Sequence, residues 1–167
     1  MTPFLLSQIL ATCTLITGMV AFQLPERTHI LRGWCLAALF AAAHFFVLGS
    51  VEAGVLILVT ALRFMISSFT TDKRLMYLFM ALAVGGFALT YQTPVSWLAL
   101  AATLIGTWGS FYGTANAVRY SMMSTELIWV IHNLLVWSPV AVVMEVLFFT
   151  SNFIGWLRHR RVATSSL

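Results

Sequence analysis

Residues 128–137 read IWVIHNLLVW, eight apolar letters around an adjacent histidine and asparagine, His132 and Asn133. In a soluble core such a pair needs only one or two local partners, whereas in lipid every polar group left unsatisfied is costly. Composition decides between the two settings. Of the 167 residues, 60% are hydrophobic and 8% are charged, with a mean hydropathy of +0.94. A soluble domain carries about 25% charged residues, so the chain reads as an all-α membrane protein. Apolar segments at residues 3–22, 30–49, 51–69, 75–91, 95–116, 122–137 and 138–157 are each roughly 16 to 22 residues, long enough to span as helices. Seven transmembrane helices leave almost no extramembrane domain.

Basic residues set the expected orientation. Arg27 and Arg32 lie between spans one and two, Lys73 and Arg74 between three and four, Arg119 between five and six, and Arg158, Arg160 and Arg161 after span seven. The connections near Ser50, Gln92 and Ser138 hold no Lys or Arg, and only Arg63 falls within a span. With eight of nine basic residues on one side, the N-terminus is expected outside and the C-terminus in the cytoplasm. The start, MTPFLLSQIL, has no basic region and no small-residue cleavage pattern, so it reads as a retained first helix. Cys13 and Cys35 sit within or at the edge of spans and suggest neither a disulfide framework nor a thiolate metal site. The basic RHRR tail reads as an orientation anchor, and the formal charge of +4 does not argue for nucleic acid.

A gapless shift of 88 residues lays His44 on His132 and Gly18 on Gly106 (132 − 44 = 106 − 18 = 88), and matches Leu39 with Leu127, Ser50 with Ser138, Ala53 with Ala141 and Val55 with Val143. Spans one to three and five to seven then run in the same sense, with span four restoring the direction between them. That is two parallel three-helix repeats joined by an inversion-linker helix, the 3+1+3 plan of SWEET-like transporters. The expected units are residues 1–70 for the first repeat, 71–93 for the linker helix, 94–161 for the second repeat, and 162–167 for a short cytoplasmic tail.

The segments HFFVLGSVEAG at residues 44–54, GTW at 106–108, and IWVIHN through VVMEVLFF at 128–149 resemble the YgjV-type bacterial inner-membrane protein family. The likeness covers nearly the whole chain. It implies a bacterial inner-membrane location and a place in the wider SWEET, semiSWEET and PQ-loop (MtN3-like) group. The sequence departs from SWEETs proper in having no Pro-Gln dipeptide; the nearest segment is QLPE at residues 23–26. SWEETs carry an asparagine on the third helix of each repeat. Asn152 fits that position, but its counterpart 88 residues earlier is Phe64, which weakens the case for a sugar.

At about 1.5 Å of rise per residue, His44, His132 and Glu145 lie about 7 to 9 Å below the outer edge, and Arg63, Glu126 and Asn152 about 16 to 20 Å below it. Trp129 falls between these layers. Glu126, Trp129 and Asn133 follow an i, i+3, i+7 stripe with His132 beside it. Ionisable groups at such depths should face protein or a watery cavity. The expected solute-binding residues are therefore Trp108 and Trp129 for stacking and Asn133 and Asn152 for hydrogen bonding. His44, Arg63, Glu126, His132 and Glu145 are assigned to gating or proton coupling, with an ion pair expected between Arg63 and Glu126. Trp34, Trp97, Trp137 and Trp156 lie near span ends and read as interfacial belts.

Three other readings compete. The polar residues can be interhelical hydrogen bonds that only fix packing. His44, His132 and Glu145 can form a His₂Glu metal set if three helices converge on one ion, but no short-spaced ligand motif supports it. An enzyme lacks both a nucleophile arrangement and a phosphate-binding loop. The sequence reading is a non-enzymatic transporter of a small polar solute, a sugar or similar metabolite. It would need no cofactor and no metal, work by alternating access in the lipid bilayer, leave proton coupling open, and allow a homo-oligomer. The alternative is a non-transporting scaffold or sensor.

Overall fold

The computed structural model describes residues 2–91 and 93–164, apart from the side chains at positions 52, 90 and 161–164. The turn expected at Gln92, the Arg161 side chain and the tail beyond residue 164 lie outside the described residues. Every element among them is helical: α1 (Pro3–Ala21), α2 (Arg27–Val47), α3 (Val51–Phe69), α4 (Lys73–Thr90), α5 (Ser96–Ser110), α6 (Ala115–Leu135) and α7 (Pro139–Thr164). Pro3–Ala21, Arg27–Val47 and Pro139–Arg160 are long and apolar enough to cross a membrane on their own, and Ala53–Phe69 is a shorter apolar helix.

The helices start where the chain supplies acceptors for free N–H groups. Thr2 Oγ1 accepts from Leu5 N at 3.2 Å with Pro3 in the first turn, Asp72 Oδ1 accepts from Arg74 N at 2.8 Å, and Thr114 Oγ1 accepts from Ala117 N at 3.1 Å, each filling a donor the first turn leaves open. The Thr114 cap starts α6 at Ala115, seven residues before the expected Met122. Arg119, expected in a loop, is therefore helical and buried.

Two tight turns close one end of the molecule. Ser50 N donates to Phe45 O at 2.9 Å after α2, and Ser138 N donates to Asn133 O at 2.8 Å after α6. In each turn the residue before the serine has positive φ: +77° at Gly49 and +55° at Trp137. Glycine carries no penalty in that conformation, whereas an L side chain costs about 1–2 kcal/mol. Trp137 is 89% exposed, so replacing it forfeits no internal packing. Trp137→Gly should raise the detergent unfolding temperature by a few degrees, and Gly49→Ala should lower it; thermal denaturation of both variants checks the pair.

α1, α2 and α3 pack in succession, as do α5, α6 and α7, and α4 leans chiefly on α5 through Phe79 and Phe111, whose rings lie 6.0 Å apart. The two groups meet through α1 with α7, α2 with α6, and α3 with α5. Between them sits the main core, where Phe22, Ile30, Leu31, Ala61, Phe64, Val118 and Phe148 close around Trp34. The Trp34 ring stands 5.0 Å from those of both Phe22 and Phe148. This corrects the interfacial reading of Trp34. It lies seven residues into α2, on the face that meets the other group.

Candidate functional site

Two adjoining cavities lie among the helices. The larger, about 540 Å³, is walled by α3, α4, α5 and the end of α6, and it reaches from Leu56, Phe87 and Ser96 to Arg63 and Thr107. The smaller, about 230 Å³, lies between the helix groups, with Trp34, Phe64, Glu126, Trp129, Glu145 and Phe148 on its walls. Thr60, Arg63, Thr103 and Trp129 line both, so they form the partition.

Arg63 is buried, yet its partner is not the expected carboxylate. Its Nη1 donates to Thr107 Oγ1 at 2.6 Å and to Thr103 O at 3.3 Å, and its guanidinium lies 4.6 Å from the centre of the Phe64 ring. Among the described residues, no Arg63–Glu126 ion pair forms; elsewhere, on the surface, His29 Nδ1 lies 3.3 Å from Glu26 Oε2. Arg63 and Glu126 both line the smaller cavity, but Arg63 Nη1 is taken up by Thr107 Oγ1 and Thr103 O of α5.

Matching depth also failed to bring the outer layer together. At about 100° per residue, His132 falls about 120° around α6 from Glu126, and Trp129 lies midway between them. Accordingly His132 lines the larger cavity, Glu126 the smaller, and Trp129 both. His132 is 3.2 Å from Asn133 Oδ1 through Nδ1 and stands edge-on to the Trp129 ring at 5.0 Å. Glu145 faces the smaller cavity, apart from His132. His44 Nδ1 donates to Ser7 O of α1 at 2.8 Å, which ties two neighbouring helices and lines neither cavity. The expected cluster of His44, His132 and Glu145 is thus dispersed.

Of the four expected solute contacts, Trp129 sits on the cavity walls. Trp108 does not: it is 44% exposed on the outside of α5, with its ring 4.9 Å from that of Tyr112. Asn133 is buried beside His132. Asn152 is fully buried, donates to Arg119 O at 3.0 Å, and faces Glu126.

The basic end holds residues that charge counting read only as orientation signals. From α2, Arg27 donates to Tyr112 O at 2.6 Å and Ser110 O at 2.7 Å at the end of α5, and to Ser67 O and Thr70 O at the end of α3. From α6, Arg119 donates to Phe22 O at 2.7 Å and Leu24 O at 2.6 Å at the end of α1. Helix C-termini leave carbonyls unpaired and carry partial negative charge, so each guanidinium fastens the end of a helix from the opposite group. α7 adds to this closure, because Gln23 Nε2 donates to Ser151 Oγ at 2.8 Å, Ser151 Oγ donates to Met19 O at 2.9 Å, and His159 Nε2 donates to Gln23 O at 2.9 Å. These bonds hold the two helix groups together at the basic end.

Comparison with known proteins agrees with this membrane architecture. The Imp-YgjV family, described as bacterial inner membrane protein, matches residues 5–163. The "Inner membrane protein YgjV" of Escherichia coli (strain K12) is 25% identical over 162 residues, which covers 97% of this chain and 88% of that protein. No solved structure matches the chain. With that match running from α1 into the last turn of α7, the chain belongs to the Imp-YgjV family of bacterial inner membrane proteins.

Proposed function

We propose that this inner-membrane protein carries a small polar solute by alternating access between two three-helix halves in a 3+1+3, SWEET-like arrangement. The halves are residues 1–70 and 94–161, joined by the linker helix of 71–93. Helix spacing supports the repeat. α2 and α6 start at residues 27 and 115 and α3 and α7 at 51 and 139, each 88 apart (115 − 27 = 139 − 51 = 88). The same offset relates the positive-φ residues Gly49 and Trp137 and two cross-half contacts. Position 63 bonds position 107, and position 151 bonds position 19 (63 + 88 = 151; 107 − 88 = 19).

The observation that carries the transport reading is the pair of adjoining cavities that share Thr60, Arg63, Thr103 and Trp129 as a partition. In this reading the basic end faces the cytoplasm and the N-terminus lies outside, so the fastened end of the described conformation is the inner one. A static scaffold can bury polar bonds such as His44 to Ser7, but it has no need of adjoining cavities with a charged side chain on their shared wall. Uptake into proteoliposomes across a broad panel of small polar metabolites tests the proposal. Flux of any member above protein-free vesicles supports it, and none across the panel favours the scaffold or sensor.

Proton coupling would reside at Glu145, which faces the smaller cavity with Glu126 close enough to repel it. An inward proton gradient should drive accumulation in the wild type. Glu145→Gln should abolish accumulation but leave downhill exchange measurable, because a fixed neutral amide cannot cycle a proton. Accumulation that survives collapse of the gradient would remove the coupling.

A further inference from the structure

Six buried side-chain polar atoms among the described residues have no hydrogen-bond partner in the protein, and four belong to walls of the smaller cavity: Trp34 Nε1, Arg63 Nε and both carboxylate oxygens of Glu126. A fifth, Asn152 Oδ1, is on the residue that faces Glu126. Asn152 gives one of its two amide hydrogens to the Arg119 carbonyl and its amide lies beside the Glu126 carboxylate, but neither Glu126 oxygen has a hydrogen bond of full geometry. Glu126 itself is 4% exposed. Buried groups are nearly always satisfied, and each exception carries a desolvation cost. Four on side chains that line one small cavity suit a visitor with both donors and an acceptor, toward which those side chains would turn.

Charge narrows the visitor. The walls carry one cation, Arg63, and two carboxylates, Glu126 and Glu145. With both acids ionised they lack one positive charge, and uncompensated charge at this depth is expensive. The faces of Trp34, Trp129 and Phe148 in the same wall favour a cation with an organic skeleton over a bare ion. At about 30 Å³ per water-sized unit, 230 Å³ admits only a small molecule.

We propose that the cavity bounded by Trp34, Arg63, Glu126, Trp129 and Glu145 binds a small primary amino alcohol. Its ammonium donates to the Glu126 carboxylate beside Glu145, and its hydroxyl oxygen accepts from Trp34 Nε1–H and Arg63 Nε–H. This names the substrate class of the proposed transporter and rests on that reading for its physiological meaning. Binding itself is measured without transport.

The test is calorimetric titration and thermal stabilisation of the detergent-solubilised full chain with ethanolamine. Ethylamine, which lacks the hydroxyl, and ethylene glycol, which lacks the charge, are the comparisons. Ethanolamine should bind at least tenfold more tightly than ethylamine, and ethylene glycol should not bind. Glu126→Gln should weaken ethanolamine at least tenfold. If that variant folds poorly, Trp34→Phe carries the test, since it removes one of the two donors to the hydroxyl and should narrow the preference for ethanolamine over ethylamine severalfold; an unchanged preference would overturn the proposal. Failure of ethanolamine to bind at any pH between 6 and 9 would overturn the proposal, assigning the missing charge to a proton. Equal affinity for ethanolamine and ethylamine in the wild type would also overturn it. Binding without flux in proteoliposomes would leave the site standing and sink the transporter.

Discussion

Arg119→Ala should lower the unfolding temperature in detergent by about 10 to 20 °C. The guanidinium makes two hydrogen bonds to carbonyls at the end of α1, and charge-assisted bonds of this kind contribute about 1.5–3 kcal/mol each. Their loss therefore costs about 3–6 kcal/mol, and a chain of this size shifts by about 2–4 °C per kcal/mol. Phe22 is fully buried, so water cannot readily replace the missing donor at its carbonyl. Arg119→Lys should recover about half, because an ammonium is a point donor and not a fork. Gly155 supplies the room: a Cβ there would run into the Phe22 carbonyl oxygen and come within 2.7 Å of Arg119 Nη1. Gly155→Ala should consequently reproduce much of the Arg119→Ala loss. A drop under about 3 °C for Arg119→Ala would show that the fastening contributes little.

Arg27→Ala should act on opening more than on global unfolding. Arg27 is partly exposed and joins the ends of α3 and α5 from the start of α2. Water can take over some of its acceptors, so the net cost is that of separating two helix ends at the basic side. At about 1.5–3 kcal/mol, the local opening equilibrium rises about ten- to a hundredfold. Hydrogen exchange should accelerate by that factor in peptides covering residues 64–70 and 106–112, while the turn at residues 47–51 stays unchanged. Uniform acceleration across both ends would instead mean that Arg27 supports the whole fold and does not govern one end of it.

Much of this architecture was legible in the sequence because lipid imposes simple rules. Few charges and runs of apolar residues gave helices, and the 88-residue offset anticipated the matched starts of α2 with α6 and α3 with α7. Rise per residue assigns each residue an expected depth, but it says nothing of azimuth. His132 and Glu145 share a depth yet line different cavities, and Arg63 reaches threonine on α5 instead of Glu126, because rotation about each axis is set by packing partners the sequence does not name. Arg27 and Arg119 escaped for another reason. Counting basic residues reads them as loop charges, while their acceptors are backbone carbonyls, which leave no signature in side-chain sequence. The Thr114 cap before Ala115 was the one local signal that would have moved Arg119 into a helix.

The transport account is tested most directly by sided access to the partition between the cavities. Thr60 lines both, and Cys13 and Cys35 are the two native cysteines, so Thr60→Cys in a Cys13→Ser, Cys35→Ala background carries a single thiol there. In oriented proteoliposomes, a membrane-impermeant thiol reagent should modify this cysteine from the side opposite the basic end. Adding Arg27→Ala should open the route from the basic side, raising modification from there at least tenfold and lowering it from the other. Modification from neither side in either background would contradict alternating access and leave the buried polar residues as packing alone.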